Sequence, residues 1–328
     1  MRYLLPKSWS KILFISSICI VVFVALVFMR AFFLMDLSKA PLENQITAPV
    51  YLISYADGPE VFHKNRKMLV YSGLQKGVSH FFNYKKDMID PKFLEKHKDT
   101  FSKKHGAGYW IWKPWVIQDA LKKIPENAYV FYCDSGFVFK GDVSPILDLL
   151  KTKDMVLMTY TNKELYGPLS KTTKEEAFIK TGCDTQECRN FYLLWAGMIF
   201  MKNTPATRSF IQKWLTYCED PELLGPESKY LPSRHNYDQS LLGVAYYKNP
   251  QHIALVPEEE IADNNIFRWH HRHSSRESES LFFDYEKIRG VERRVINNGI
   301  FKTLAKWVYK FSESKPSEGR SLTVISRD

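Results

Sequence analysis

The residues that offer chemistry in this 328-residue chain sit where apolar runs end. Pro49-Val-Tyr-Leu-Ile runs into Ser54-Tyr55-Ala56-Asp57, and Ala128-Tyr-Val-Phe-Tyr-Cys runs into Asp134-Ser135-Gly136. Residues 251–267 lead into Arg268-Trp269-His270-His271-Arg272-His273. A carboxylate at a strand end, facing a histidine cluster, suits a hard or borderline divalent cation. The histidines lack H-E-x-x-H spacing, which speaks against a zinc hydrolase. Each feature also has a plain structural reading. Asp-Ser-Gly is ordinary turn chemistry, Lys113 is a solvated charge, and Asp238 is a first-turn acid on a helix dipole. Trp110, Trp112 and Trp115 serve as core or as a stacking platform, with core favoured for two of the three.

These residues need elements to hold them. Strand 50–54, helix 60–76 and strand 78–84 read as the opening βαβ of a parallel sheet. After the Lys-rich segment 85–105, Lys113–Ile124 carries Val116, Ile117, Ala120 and Leu121 at helical spacing, with Pro114 in its first turn. Strand 128–133, a short helix at 143–150 and strand 154–159 follow. Residues 160–190 read as a long irregular loop, and 191–201 as an aromatic strand broken by Ala196-Gly197. A helix at 207–218 buries Phe210, Ile211, Trp214 and Leu215, and a helix at 238–247 leads to strand 252–256. The pattern predicts an α/β fold whose ligands bind at the carboxyl ends of the strands. Cys183 and Cys188 bracket a short polar loop, as a local disulfide or as free thiols.

Composition narrows the class. With 45% hydrophobic and 25% charged residues, 15 Gly and 16 Pro, the chain is neither disordered nor of low complexity. Its net charge of +10 is placed at the ends: residues 1–39 carry +4 and residues 268–328 carry +5, leaving +1 for the middle. That distribution excludes a nucleic-acid groove through the centre. Residues 12–29 contain no charge and reach about 27 Å as a helix, close to a bilayer core. Bulky Phe28, Met29, Phe32 and Phe33 stand where a signal peptidase would need small residues. Three positive charges precede the span, so the sequence predicts a cytosolic tail at 1–11, a transmembrane signal anchor at 12–35 and a stem at 36–48. Residues 276–311 read as a basic helical extension that packs on the domain or lies on a membrane. Residues 312–328 read as disordered.

Tyr109-Trp-Ile-Trp-Lys-Pro114, followed by a helix and Tyr129-Val-Phe-Tyr-Cys-Asp-Ser-Gly136, resembles nucleotide-sugar glycosyltransferases of the GT-A fold, in which this strand ends in D-x-D. Leu194-Trp-Ala-Gly197 is similar to their strand beneath the sugar, and His235-Asn-Tyr-Asp-Gln-Ser-Leu-Leu242 to their D-Q helix start. The resemblance spans residues 49–273 in the family's order and implies a GT-A-like catalytic domain at 49–275. It implies a mixed sheet flanked by helices, preceded by the one membrane helix.

On that resemblance, Ser54, Tyr55 and Ala56 receive the nucleotide, Lys113 lies near the diphosphate, and Asp134 contacts ribose and metal beside Ser135 and Gly136. Ala196 and Gly197 lie under the sugar, Asp238 and Gln239 face sugar or acceptor, and one of His270, His271 or His273 completes a Mn2+ or Mg2+ site with Asp134. Gly136 replaces the family's second aspartate, so the cation depends on diphosphate oxygens, or the basic residues act without it. The resemblance implies a hexosyltransferase with a nucleotide-sugar donor and a glycan, lipid or protein acceptor, retaining or inverting. It implies a single-pass type II Golgi membrane protein with a lumenal domain, the alternatives being the endoplasmic reticulum or a bacterial inner membrane. The rival is a non-catalytic, membrane-tethered carbohydrate-binding or scaffold protein with the same fold.

Overall fold

The computed structural model describes residues 48–160, 166–230, 234–263 and 266–269. The expected anchor at 12–35, the extension at 276–311, His270, His271 and His273 all lie outside the described residues. Among the described residues, no helix is long and apolar enough to cross a membrane.

Six strands form one mixed sheet: β1 (Val50–Tyr55), β2 (Val78–Tyr84), β3 (Tyr129–Cys133), β5 (Met155–Thr159), β6 (Leu194–Lys202) and β7 (Ile253–Pro257). Their order is β2-β1-β3-β6-β5-β7, with β6 alone antiparallel to its neighbours. The near-continuous apolar runs of β1, β3, β5 and β6 follow from burial on both faces. A second, two-stranded ladder joins β4 (Phe137–Phe139) to β8 (Phe267–Trp269). Three-residue strands carry too little pattern to be read from the sequence, and neither was expected.

The helices expected from apolar spacing form with boundaries shifted by one or two residues: α1 (Glu60–Gln75), α2 (Trp112–Lys123), α3 (Ser144–Thr152), α5 (Pro205–Glu219) and α6 (Tyr237–Lys248). Val116, Ile117, Ala120 and Leu121 of α2 are all buried against the cluster that contains Tyr51, Ile53 and Tyr55 of β1. Each such Val, Ile or Leu side chain contributes about 1.5–3 kcal/mol of burial. Thr204 caps α5 by accepting from the Thr207 amide, and Pro205 occupies its first turn.

The stretch 160–190 is not the irregular loop the sequence suggests. From Leu169 on it holds short helices at Leu169–Thr172, α4 (Glu175–Thr181) and Gln186–Arg189. These are too short to show a period. Caps define them instead: Gly182 ends α4 in a left-handed conformation, and Thr185 accepts from the Cys188 amide. Cys183 and Cys188 form a disulfide across the intervening loop.

Ahead of α2 the backbone turns left-handed. Gly106, Ala107, Gly108, Tyr109 and Trp110 have φ of +57°, +49°, +98°, +54° and +60°. The Tyr109 and Trp110 amides donate to the carbonyls of His105 and Gly106, closing one left-handed helical turn. Left-handed backbone costs a non-glycine residue about 1–2 kcal/mol. The Trp112 indole offsets part of this by donating to the Gly106 carbonyl at 2.9 Å. A Cβ on residue 106 would come within 2.4–2.7 Å of three atoms of the Trp110 ring, so any larger residue there must displace it.

Candidate functional site

The chain leaves β1 for β2 on one side, then returns to lay β3 on β1's other side. The carboxyl ends of β1 and β3 therefore border a topological switch point, where open α/β sheets bind ligands. Because β6 is antiparallel to β3, its amino end reaches the same edge: Cys133 pairs with Met198, and the Asp134 amide donates to the Gly197 carbonyl at 2.8 Å. Ser54–Ala56, Asp134–Gly136 and Ala196–Gly197 are brought to one edge by strand direction alone.

Lys113, in the first turn of α2, joins these ends to α6. Its ammonium lies 3.3 Å from Asp134 Oδ1 and 3.1 Å from Asp238 Oδ2. It also donates to the Ala196 carbonyl at 3.2 Å. Lys113 is 3% exposed, Asp134 7% and Asp238 3%. Burying three charges is tolerable only because two anions share one cation with added hydrogen bonds. Tyr132 supplies one of these, its hydroxyl donating to Asp134 Oδ1 at 2.6 Å.

Burial raises the Asp238 carboxyl to about 6; the Lys113 ammonium opposes that rise and Asp134 adds to it. Lys113, 3.1 Å from Oδ2, opposes the rise both by its charge and as a hydrogen-bond donor. The Trp214 indole donates to the Asp238 carbonyl at 2.9 Å and fixes the start of α6. Lys113 therefore stands between two acids, and its buried ammonium is not a free cation facing the crevice.

The other expected residues fall around this trio. Tyr55 stacks on Trp112 with centroids 3.9 Å apart. The Tyr55 hydroxyl and Ser54 Oγ are buried without partners among the described residues. Burial raises the Tyr55 phenol, and Asp57 adds to that rise. The Ala56 amide donates to the Tyr84 carbonyl, and Arg66 donates to the carbonyls of both Ala56 and Tyr84. Ser135 and Gly136 form a turn closed by the Phe137 amide donating to the Asp134 carbonyl at 3.3 Å. Gln239 is half-buried, next to Asp238 on α6.

Gly197 permits the close approach: a Cβ there would stand 2.9 Å from Trp195 Nε1, 3.2 Å from Phe137 and 3.4 Å from Asp134 Oδ2. Tyr132 and Trp195 were not singled out from the sequence. Both follow the two-residue alternation of a strand, Tyr132 toward Asp134 and Trp195 toward Gly197.

The described residues do not by themselves fit a divalent cation. No group of three His, Cys, Asp or Glu able to hold a metal occurs among them. An ammonium already faces Asp134 Oδ1 at 3.3 Å. The ladder register sets Trp269 opposite Phe137, so the described chain ends beside the Asp134 turn, one residue before His270.

The fold and site define a mixed α/β protein with a buried pair of carboxylates bridged by one lysine at the sheet's switch point. No family model and no curated protein sequence matches the chain. Among solved structures it is similar to mouse xyloside xylosyltransferase 1, at 8% identity and TM-score 0.38, covering 63% of this chain and 85% of that one. It is also similar to a glycosyltransferase involved in glycosylating the major capsid of PBCV-1, at 10% identity and TM-score 0.40, with 71% and 98% covered. The galactosyltransferase LgtC, with donor and acceptor sugar analogs, gives 13% identity, TM-score 0.35, and 70% and 81% covered. At such scores these likenesses carry no argument for fold or chemistry.

Proposed function

We propose that the chain is a glycosyltransferase of GT-A type that moves a hexose from a nucleotide sugar to a glycan, lipid or protein acceptor. The observation that carries this reading is the meeting of Asp134, Asp238 and the Ala196 carbonyl on the buried Lys113 ammonium, at the carboxyl ends of β1 and β3. The motifs that resemble the transferase family lie far apart in sequence, and they converge on this one edge.

In the proposed reaction the nucleotide lies along Ser54–Ala56, at the carboxyl end of β1. Gly197 lets β6 lie close against Trp195, Phe137 and Asp134, beneath the proposed sugar position. Lys113 holds Asp134 and Asp238 in place and keeps two carboxylates stable in one buried site. On an inverting route Asp238 Oδ2 takes the acceptor hydroxyl's proton, a role suited to a carboxyl held near neutrality. A retaining route leaves Asp238 as an electrostatic and orienting group.

The trio carries one net negative charge, so the departing diphosphate needs cations from elsewhere. In this proposal the basic residues Arg268, Arg272 and Arg276 would supply that charge; were Mn2+ or Mg2+ bound, Asp134 with one of the histidines at 270–273 would hold it, and it would help neutralise the diphosphate. The anchor at 12–35 and a Golgi, lumenal placement belong to the same proposal on the strength of the apolar span. The test is equilibrium binding of a nucleotide-sugar panel to the full-length chain. Binding of one donor that is lost in Asp134→Asn is the expected result. Binding of free glycans with no nucleotide sugar bound would favour the non-catalytic reading.

A further inference from the structure

Tyr109 and Tyr237 belong to different elements, yet both hold left-handed backbone, with φ of +54° and +49°. Their rings stack with centroids 4.9 Å apart and planes 2° from parallel. His105 and Trp110 stand 4.9 Å and 5.8 Å from the Tyr237 ring, and His105 meets Trp110 edge-on at 5.0 Å. Tyr109, Trp110 and Tyr237 pack against the edge of the hydrophobic core, which accounts for part of the arrangement but not for its left-handed backbone. Both tyrosines and Trp110 are only half-buried, and His105 is exposed. Non-glycine residues persist in such conformations where their surroundings over-determine them, and they cluster at ligand clamps and active sites.

The location is specific. Tyr237 immediately precedes Asp238, and Trp110 lies three residues before Lys113, so both strained tyrosine segments run directly into the charged trio. The rim is polar: His105, Asn236 and Gln239 have accessible surface, and Glu227 acts electrostatically on both phenols. Flat aromatic faces edged by hydrogen-bonding groups match a pyranose ring, which presents an apolar C–H face and a polar hydroxyl perimeter. A nucleobase also stacks, but in the transferase reading the nucleotide lies on another element, at the end of β1.

We propose that Tyr109, Tyr237, Trp110 and His105 form a stacking platform for a pyranose ring of the acceptor saccharide. The word acceptor rests on the transferase reading; pyranose binding does not. The test uses the full-length chain in a detergent without a sugar head group. The probes are the methyl pyranosides of glucose, galactose, mannose and N-acetylglucosamine, with the nucleotide-sugar panel measured in parallel. Binding is read by saturation-transfer NMR.

At least one pyranoside should bind, with saturation concentrated on the C–H protons of one ring face. Asparagine tolerates left-handed backbone, so Tyr109→Asn and Tyr237→Asn remove a ring without adding strain. Each should weaken pyranoside binding by about tenfold or more and leave any nucleotide-sugar binding unchanged, with a cooperative thermal transition retained. Tyr237→Phe should bind within about threefold of wild type. Absence of binding for every pyranoside, or full binding in both asparagine variants, overturns the platform. Loss of the platform with nucleotide-sugar binding intact leaves the transferase reading standing. Pyranoside binding without nucleotide-sugar binding overturns the transferase reading and leaves the platform.

Discussion

The Lys113 ammonium lies 3.1 Å from Asp238 and 3.3 Å from Asp134, joining the first turn of α2 to the start of α6 and the end of β3. One cation thus holds two carboxylates that are separated by more than a hundred residues of chain.

Removing that cation while keeping its apolar stem should leave two buried carboxylates unpaired. Lys113→Met is expected to lose about 3–5 kcal/mol of stability at pH 7 in urea denaturation. A variant as stable as wild type would show that the acids do not depend on Lys113.

Asp238 gives a stability trend of definite sign. Its folded carboxyl, at about 6, lies above the ordinary 3.8, so its contribution is fully present below about pH 4 and is lost as pH rises through 6. Asp238→Asn removes the ionisation, so the variant should gain on wild type between pH 4 and 7, by about 3 kcal/mol at the plateau. Denaturation midpoints across that range measure the gain, and a constant difference would contradict the assignment.

His235 acts in the opposite sense. Burial, helped by Lys174, holds its imidazole down at about 3, and its Nδ1 accepts from the Lys174 amide at 3.3 Å. A depressed histidine contributes stability that is complete above about 6.5 and is lost as pH falls toward 3. His235→Gln should therefore flatten the acid limb of the stability profile by about 4 kcal/mol, measured by denaturation between pH 7 and 3. An acid limb as steep as wild type would show that His235 charges freely.

Gly197 is a test of space. A Cβ at this position meets Trp195 Nε1 at 2.9 Å and Asp134 Oδ2 at 3.4 Å, so Gly197→Ala must displace a neighbour. It should lose about 1–3 kcal/mol and most nucleotide-sugar binding. Unchanged donor binding would show that the sugar does not lie over β6.

Strand and helix positions were legible because their signals are local. The Val116, Ile117, Ala120, Leu121 spacing revealed α2, and the apolar run ahead of Asp134 revealed β3. What Lys113 does was not legible, because its partners Asp134 and Asp238 come together only through the antiparallel insertion of β6 and the packing of α6. The left-handed turn at 106–110 was hidden for another reason. Two glycines hint at positive φ, but nothing local predicts it for Ala107, Tyr109 and Trp110. The Cys183–Cys188 pairing, left open by spacing, follows from the turn that Gly182 and Thr185 impose between two short helices.

The central claim is that a nucleotide sugar reacts beside Asp134. The direct measurement is the rate of nucleoside diphosphate release by the full-length chain with its bound donor, comparing wild type with Asp134→Asn. The account predicts turnover in wild type and a loss of about a hundredfold or more in the variant, with the fold intact by thermal midpoint. Equal rates in the two proteins would contradict it.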